Sequence, residues 1–487
     1  MYSIIQKIYE KNNKILKEGL KNVLNGADVS TLTGAIKDFT DVLGKELFAE
    51  IVTQIENLVF EDTKRKNQYE AVRFAEKGLV TKNGKAKFER RYYKDNETGE
   101  NVCLTDRVLG LEKGERIDKK VKSELIQKAS EQSYSKSGKL VVPEMEISAT
   151  TVMRNVRKNE WKMKVEERKE EEKIKAKNIF IQVDEDHVKE IGKKGCTISK
   201  IITIYTRKRT LTKPDRIPEV KQVRKELVDK FTFAGLYKDT QEMWEDVAYY
   251  IDCTYKKEEI ETAFVMGDGA SYIKVGTEWI AKSVFVLDTF HLEKYINHLN
   301  YDENLKMKLQ EAIDQFDPIS TENIMNEAIK NIETEIEEDE QLGRSTKRLE
   351  NRLKKINETK TYLINQWDGI EAHDIYKDKL TGCCQEGQVH HTLSERMSTD
   401  AKVWCEEGID EMSQLRAFTQ NGGDIYQKII DISTAEKREK RIEELEKRIR
   451  KKANKKLFGT TGVKIPIAQA RDELYYELKN IWYGNAV

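Results

Sequence analysis

The chemistry this sequence can support is concentrated in a few carboxylates. Asp184 closes the apolar run IFIQV at 179–183, and Asp268 closes TAFVM at 262–266, with a glycine on either side of it. Both runs read as buried strands of an α/β sheet. Both aspartates are therefore expected immediately after strands, at the carboxyl edge where such sheets bind their ligands. Two carboxylates at neighbouring strand ends can hold Mg²⁺ or Mn²⁺ through oxygen, and a third acid would complete a site for two ions. Such a pair of ions stabilises both the attacking and the leaving oxygen of an in-line phosphoryl displacement.

Gly267 and Gly269 let the backbone turn tightly and leave room for a phosphate beside Asp268, although Asp-Gly is also an ordinary turn dipeptide. Glu185 and Asp186 compete with Asp184, and only the strand alternation selects the first of the three. Asp288 and His291 stand at a helix start. There His291 could bond a phosphate or orient a carboxylate, or simply pack beside a capping Asp288, which is also a possible metal ligand. The segment CCQEGQVHH at 383–391 is rich in ligand-capable side chains. Its adjacent Cys-Cys and His-His pairs do not match the spaced ligands of a structural zinc site, so its better use is Glu386 as the third acid, with Glu395 a nearby competitor.

Positioning these residues requires alternating strands and helices. Strand 262–266, a helix from Ser271 to about Ile280, strand 283–287 and a helix opening at Asp288 imply parallel crossover units. The alternating segment 197–205 supplies another strand, and a helix over 241–253 carries Trp244, Val247, Ala248 and Ile251 on one face. From 302 to about 378 the sequence is charged and helical, an insertion within the α/β core.

Upstream, residues 1–80 show helical spacing, as in Leu43, Leu47, Ile51, Ile55 and Val59. Phe88, Arg90 and Tyr92, then the turn DNETG at 95–99, then Val102 and Leu104 read as a β-hairpin. Two short helices follow. One is marked by Val121, Leu125, Ile126 and Ala129; the other is capped by Ser148, with Ile147 and Val152 at the positions of a hydrophobic staple. The second carries Arg154, Arg157 and Lys158, as the recognition helix of a helix-turn-helix would, a plain solvated helix being the alternative. Residues 159–178 are charge-dense and expected to form a helical linker.

The resulting division is a helical region (1–80), a β-hairpin region (81–115), a helix-turn-helix and linker (116–178), a first core part (179–301), a helical insertion (302–380), a second core part (381–430) and a basic helical region (431–487). Lys plus Arg and Asp plus Glu are equal at 86 each, so any attraction for a polyanion must be local. It is local: residues 61–180 hold 30 basic against 22 acidic side chains, and 436–456 hold 11 against 5. The six cysteines lack paired CxxC spacing and read as reduced thiols. Neither a signal peptide nor an apolar run long enough to cross a bilayer is evident, so a cytoplasmic protein without a membrane partner is expected.

The chain resembles the ISLre-type transposases of bacterial insertion sequences, a branch of the DDE superfamily. The likeness rests on GDGASYIK at 267–274 with VLDTFHLEKYI at 286–296, on EGQVHHTLSERMST at 386–399 with LRAF at 415–418, and on RRYYKDNETGENVCLTDRVLGL at 90–111. It implies an RNase H-like core split by the helical insertion, with Asp184, Asp268 and Glu386 as catalytic and metal-binding acids and two Mg²⁺ or Mn²⁺ ions. It also implies binding of double-stranded DNA at terminal inverted repeats by the amino-terminal region, strand cleavage and transfer, and a homo-oligomeric synaptic complex at the bacterial nucleoid. A structure-selective nuclease or resolvase on the same core, or a DNA-binding protein with a decayed catalytic site, are the alternatives.

Overall fold

The computed structural model describes residues 28–142, 145–210 and 225–435, with isolated positions on either side. Contacts divide the chain into Met1–Tyr426 and Gln427–Val487, and the first unit is the subject below. The basic helix expected over 436–456 lies outside the described residues, apart from Glu439 and Glu443.

A 33-residue helix, Val29–Glu61, leads into a hairpin of β1 (Tyr69–Thr81) and β2 (Gly84–Asp95), with β3 (Asn101–Val102) paired to β2. The expected hairpin across residues 95–99 is present as β2–β3, but the longer partner of β2 is β1, in a segment read as helix. Glu70, Arg73 and Glu76 cover much of β1 with charge, and the turn at Lys82 and Asn83 was not read. The helix also packs one position away from its apolar stripe. Ile51 is exposed, while Phe48, Ala49 and Val52 meet Leu79 and Phe88. Buried on that packing face, Glu56 accepts hydrogen bonds from the Tyr93 hydroxyl (2.9 Å) and the Thr105 hydroxyl and lies 3.2 Å from Arg91. A glutamate in the packing face hides it from a reading by hydrophobic period.

The helices Lys119–Glu131, Tyr134–Leu140 and Ala149–Arg157 then form a three-helix unit whose middle member had not been expected. Residues 159–169 form neither helix nor strand, and only the single turn Glu170–Glu172 is helical, so the expected helical linker is not formed. Trp161, Met163 and Val165 alternate with charged residues, which makes their apolar period two rather than 3.6. The strap lies on the core: Trp161 is buried, and Arg168 and Ile174 donate their amides to the carbonyls of Cys253 and Thr254.

The central sheet has five strands. β4 (Asn178–Lys189) pairs antiparallel with β5 (Cys196–Tyr205); β6 (Arg207–Thr210) and β7 (Lys225–Val228) form a separate ribbon, and β8 (Phe231–Gly235) pairs antiparallel with β5. On the other side of β4 lie β9 (Thr262–Gly267) and then β10 (Ser283–Leu287), both parallel to it, so the order is β8-β5-β4-β9-β10. Alternation assigns the two faces. Ile179, Ile181 and Val183 pack with Met243, Trp244, Val247 and Ile251 of the helix Thr240–Thr254. Phe180 stacks between Tyr205 and Phe264 on the opposite face, which Ala372 covers.

The expected insertion is formed by the helices Glu303–Asp314, Pro318–Gln341, Lys347–Asn365 and Trp367–Ile375. Leu309, Ile313, Met325, Ile356 and Leu363 give it a core continuous with Leu287 of β10. No helix among the described residues is long and apolar enough to cross a membrane.

Candidate active site

Strand register brings three aspartates into one row. Gln182 of β4 pairs with Met266 of β9, and Met266 with Val286 of β10. Two residues further along come Asp184, still within β4, and Asp268 and Asp288, each one place past the end of its strand. Asp184 does not end its own strand as expected, because β4 continues antiparallel to β5 and Asp184 pairs there with Ile201. It stands instead just past the point where β9 stops, and so still faces the carboxyl edge of the parallel strands.

The loop after β9 is held tightly. Asp268 accepts a hydrogen bond from the Ala270 amide at 2.9 Å, with Gly269 between them at φ +91°, a backbone that favours glycine. A Cβ on Gly269 would lie 2.3 Å from Gln366, whose side-chain amide donates to the Gly269 carbonyl. The Tyr362 hydroxyl donates to the Asp268 carbonyl at 2.8 Å. Gly267 has a comparable constraint, since a Cβ there would come within 2.7 Å of the Val183 carbonyl oxygen and push β9 away from β4. We expect Gly267→Ala to reduce any catalytic turnover at this row far more than it reduces thermal stability; a variant with both properties unchanged would contradict the close approach.

Charge crowding marks the row as more than a structural edge. Burial raises the Asp184 carboxyl to about 7, the charges of Asp268 and Glu386 push the same way, and the Glu185 amide and His291 oppose them. Asp288 caps the helix Thr289–Ile296 through the Phe290 amide and holds His291 Nδ1 at 3.2 Å. Its burial works to raise it, yet the hydrogen bonds from His291 and Phe290 keep its carboxyl below the usual range. That same bond raises His291 against the effect of burial, with Asp184 and Asp268 adding to the rise. His291 thus packs beside a capping aspartate, and it lies close enough to Asp184 and Asp268 for their charges to act on its ring.

Glu386 is exposed on the five-residue helix Gln385–Val389 and close enough to act on Asp184. Glu395 lies 3.6 Å from Arg416, whereas Glu386 is among the main charges that act on Asp184. Asp186 is taken up by Ser398 at 3.0 Å, and Glu185 by the Tyr272 hydroxyl at 3.0 Å. Tyr272 and Tyr362 are the contacts that sequence reasoning missed. Tyr272 could have been suspected four residues after Asp268; Tyr362 lies in a charged helix with no local signal.

Among the described residues, no three His, Cys, Asp or Glu side chains are drawn together closely enough to hold a metal ion as they stand. The donor chemistry nonetheless fits a hard divalent cation, because the set is all oxygen and one buried member carries a raised carboxyl. Holding such an ion would require Glu386 to close on Asp184 and Asp268. The cysteines of the 383–391 segment brace the site: the Cys384 thiol donates to Gln182 at 3.1 Å, and the Cys383 thiol to Asp288.

In the three-helix unit, Ser148 accepts the Thr151 amide and Ile147 and Val152 are buried, as the capping pattern required. Arg154 is exposed. Arg157 turns inward, with its guanidinium on Cys405 Sγ and 3.6 Å from Glu411, and Lys158 lies 3.5 Å from Glu112. Of the three basic residues expected to meet DNA, Arg154 is best placed, and Arg157 joins the unit to the helix Glu406–Gln420. A Cβ on Gly138 would fall 1.9 Å from the Ile147 carbonyl oxygen. Gly138→Ala should therefore destabilise this unit by roughly 1–3 kcal/mol or more, seen as faster amide exchange in its helices; unchanged exchange would refute the contact.

Comparison with known proteins follows the same boundaries. The family described as "Uncharacterised protein family (UPF0236)" matches residues 22–430. A relative from Caldanaerobacter subterraneus subsp. tengcongensis, a UPF0236 protein whose designation carries eleven locus labels, is 33% identical over 451 residues, covering 91% of this chain and 90% of the relative. A second UPF0236 protein of that organism is 33% identical over 450 residues, covering 90% of each chain. A third, whose designation carries four locus labels, is 32% identical over 450 residues, covering 90% of this chain and 89% of its own. With the match spanning the hairpin, the three-helix unit, the sheet and the insertion, the chain belongs to the UPF0236 family.

Proposed function

We propose that the chain is a DNA transposase that binds the ends of its own element and cleaves and joins DNA strands with Mg²⁺ or Mn²⁺. The observation that carries the reading is the row at the sheet edge, where Asp184, buried and raised to about 7, feels the charges of Asp268 and Glu386. The strand order supports an RNase H-like core: an antiparallel meander, β4-β5-β8, is extended beyond β4 by two parallel crossover strands.

Asp184, Asp268 and Glu386 would hold the ions. Two divalent ions there would stabilise the attacking and leaving oxygens of an in-line displacement at phosphorus. The other residues position and charge the site. Tyr362 and Gln366 fix the Asp268 loop, and Gly269 gives Gln366 the room to pack against it. His291, held by Asp288, lies beside the carboxylates, where hydrogen bonding to Asp288 favours its protonated form. Arg154 on the three-helix unit is the exposed cation for DNA.

The relatives' names favour a transposase over a resident nuclease or resolvase. A designation with eleven locus labels reads as one protein encoded at eleven places in one genome, as a self-mobilising gene would leave it. The test combines purified protein, duplex DNA carrying the sequences on either side of the gene, where the reading expects inverted repeats, and Mg²⁺. Nicking at the repeat ends followed by joining to a target is expected, with both lost on chelation and restored by Mn²⁺. Cleavage independent of the repeats would favour the nuclease; no cleavage with Mg²⁺ or Mn²⁺ would refute the enzyme.

A further inference from the structure

A groove of about 800 Å³ opens in the helical insertion between the turn Asn297–Leu299 and the start of the helix Lys347–Asn365. Lys347, Arg348, Arg352 and Lys355 line it with no acidic side chain in its wall, while Asp302 and Glu335 stand beside Tyr301 at its rim and Glu358 beside His298. Arg352 lies 4.6 Å from the centre of the Tyr301 ring, which holds its guanidinium in one orientation. In a chain of zero formal net charge, four cations around one groove form a local anion-attracting surface.

The helix that carries these cations ends at the candidate catalytic loop. Arg348, Arg352, Lys355, Thr359, Tyr362 and Gln366 recur at steps of four and three, so they share one helix face. At the far end of that face, Tyr362 donates to the Asp268 carbonyl and Gln366 to the Gly269 carbonyl. Midway, Thr359 donates to the Tyr295 carbonyl, and the Tyr295 ring stacks on Tyr362 at 3.7 Å. One continuous helix therefore joins the groove to the aspartate row. The ten residues from Arg352 to Tyr362 span about 15 Å at 1.5 Å per residue.

We propose that this groove holds the phosphodiester backbone of duplex DNA whose scissile phosphate lies at Asp268. The proposal rests on the DNA-cleaving reading above and assigns the insertion a part in it. At about 3.4 Å of rise per base pair, a duplex whose axis runs along this helix would carry the held phosphates roughly four to five nucleotides from the cleaved bond. Cations on a groove wall meet phosphates, not base edges, so this contact sets register and orientation without reading sequence.

The test uses the full chain and its Arg348→Glu/Lys355→Glu double variant; both side chains are exposed, so reversal of charge is compatible with folding. Binding to a duplex spanning both sites is followed across a salt series. Loss of two phosphate contacts should weaken binding roughly tenfold and flatten the slope of log affinity against log salt by about 2. Ethylation interference should show sensitive phosphates four to five nucleotides from the cleaved bond in the wild type and lose them in the variant. Asp268→Asn, outside the groove, should keep the wild-type salt slope. Wild-type cleavage with an unchanged slope and no such phosphates would overturn the groove and leave the enzyme reading standing. A wild-type chain that does not bind DNA would overturn both.

Discussion

Replacing Asp184 with asparagine is expected to stabilise the protein above neutral pH while abolishing the proposed metal-dependent cleavage of DNA. An aspartate in an unfolded chain loses its proton near ~3.9, whereas Asp184 in the folded chain does so at about 7. Between those values the folded state holds a proton that the unfolded state has lost. Stability therefore falls as the pH rises from about 4 to about 7 and levels off beyond, the reverse of the usual behaviour of a salt-bridged aspartate. Three units set an upper bound of about 4 kcal/mol, and relaxation of a crowded cluster makes roughly 1–3 kcal/mol the expected gain for asparagine, which stays neutral. Thermal melts at acid and alkaline pH read this directly: variant and wild type should nearly coincide at the acid end and separate at the alkaline end. Mg²⁺ should raise the wild-type melting temperature at alkaline pH and leave the variant unmoved. Cleavage should fall by three orders of magnitude or more, about 4 kcal/mol of transition-state stabilisation. A variant no more stable than the wild type at alkaline pH would show that Asp184 is not a crowded carboxylate.

The parts of this site that sequence could reveal were those with a local signature. The apolar runs before Asp184 and Asp268, the capped helix at Ser148 and the charged helical insertion all correspond to formed elements. What escaped depended on pairing. That Asp288 shares a row with Asp184 and Asp268 follows from register across three strands, which no single segment carries. Asp184 was expected to end a strand because the acids that follow look like a boundary, yet Asp186 and Val188 are buried and the strand runs on to Lys189. The strap after Trp161 was read as helix because its charge density masks an alternating apolar pattern. The inward turn of Arg157 could not be read either, because its partners, Cys405 and Glu411, lie about 250 residues away in sequence.

The segments SERMST and LRAF, which helped to carry the family likeness, point to the second large effect. Arg396, 3% exposed, donates through Nε to the Ala129 carbonyl at 2.8 Å and lies 5.3 and 4.7 Å from the ring centres of Tyr134 and Trp404, which meet edge to face. Arg416 donates to the Ser130 carbonyl at 2.8 Å and to the carbonyls of Thr392 and His391. Two buried guanidinium groups thus satisfy the last carbonyls of the helix Lys119–Glu131, the end whose dipole favours a cation. They fasten the three-helix unit to the stretch that follows Glu386. Burial lowers Arg396 to about 10, so it remains charged at neutral pH. Arg396→Ala should cost about 3 kcal/mol from the lost charged hydrogen bond and the two ring contacts. Lysine should recover only part of it, because an ammonium lacks the planar guanidinium that bonds the Ala129 carbonyl while facing an aromatic ring. Amide exchange should quicken in the helix Lys119–Glu131 while β4 and β9 stay protected, and cleavage of repeat-bearing DNA should fall through weaker binding. Loss of protection in the sheet at the same time would mean that Arg396 supports the core as a whole. Protection unchanged in both would mean that the three-helix unit is held by Arg157 and its packing, without this arginine.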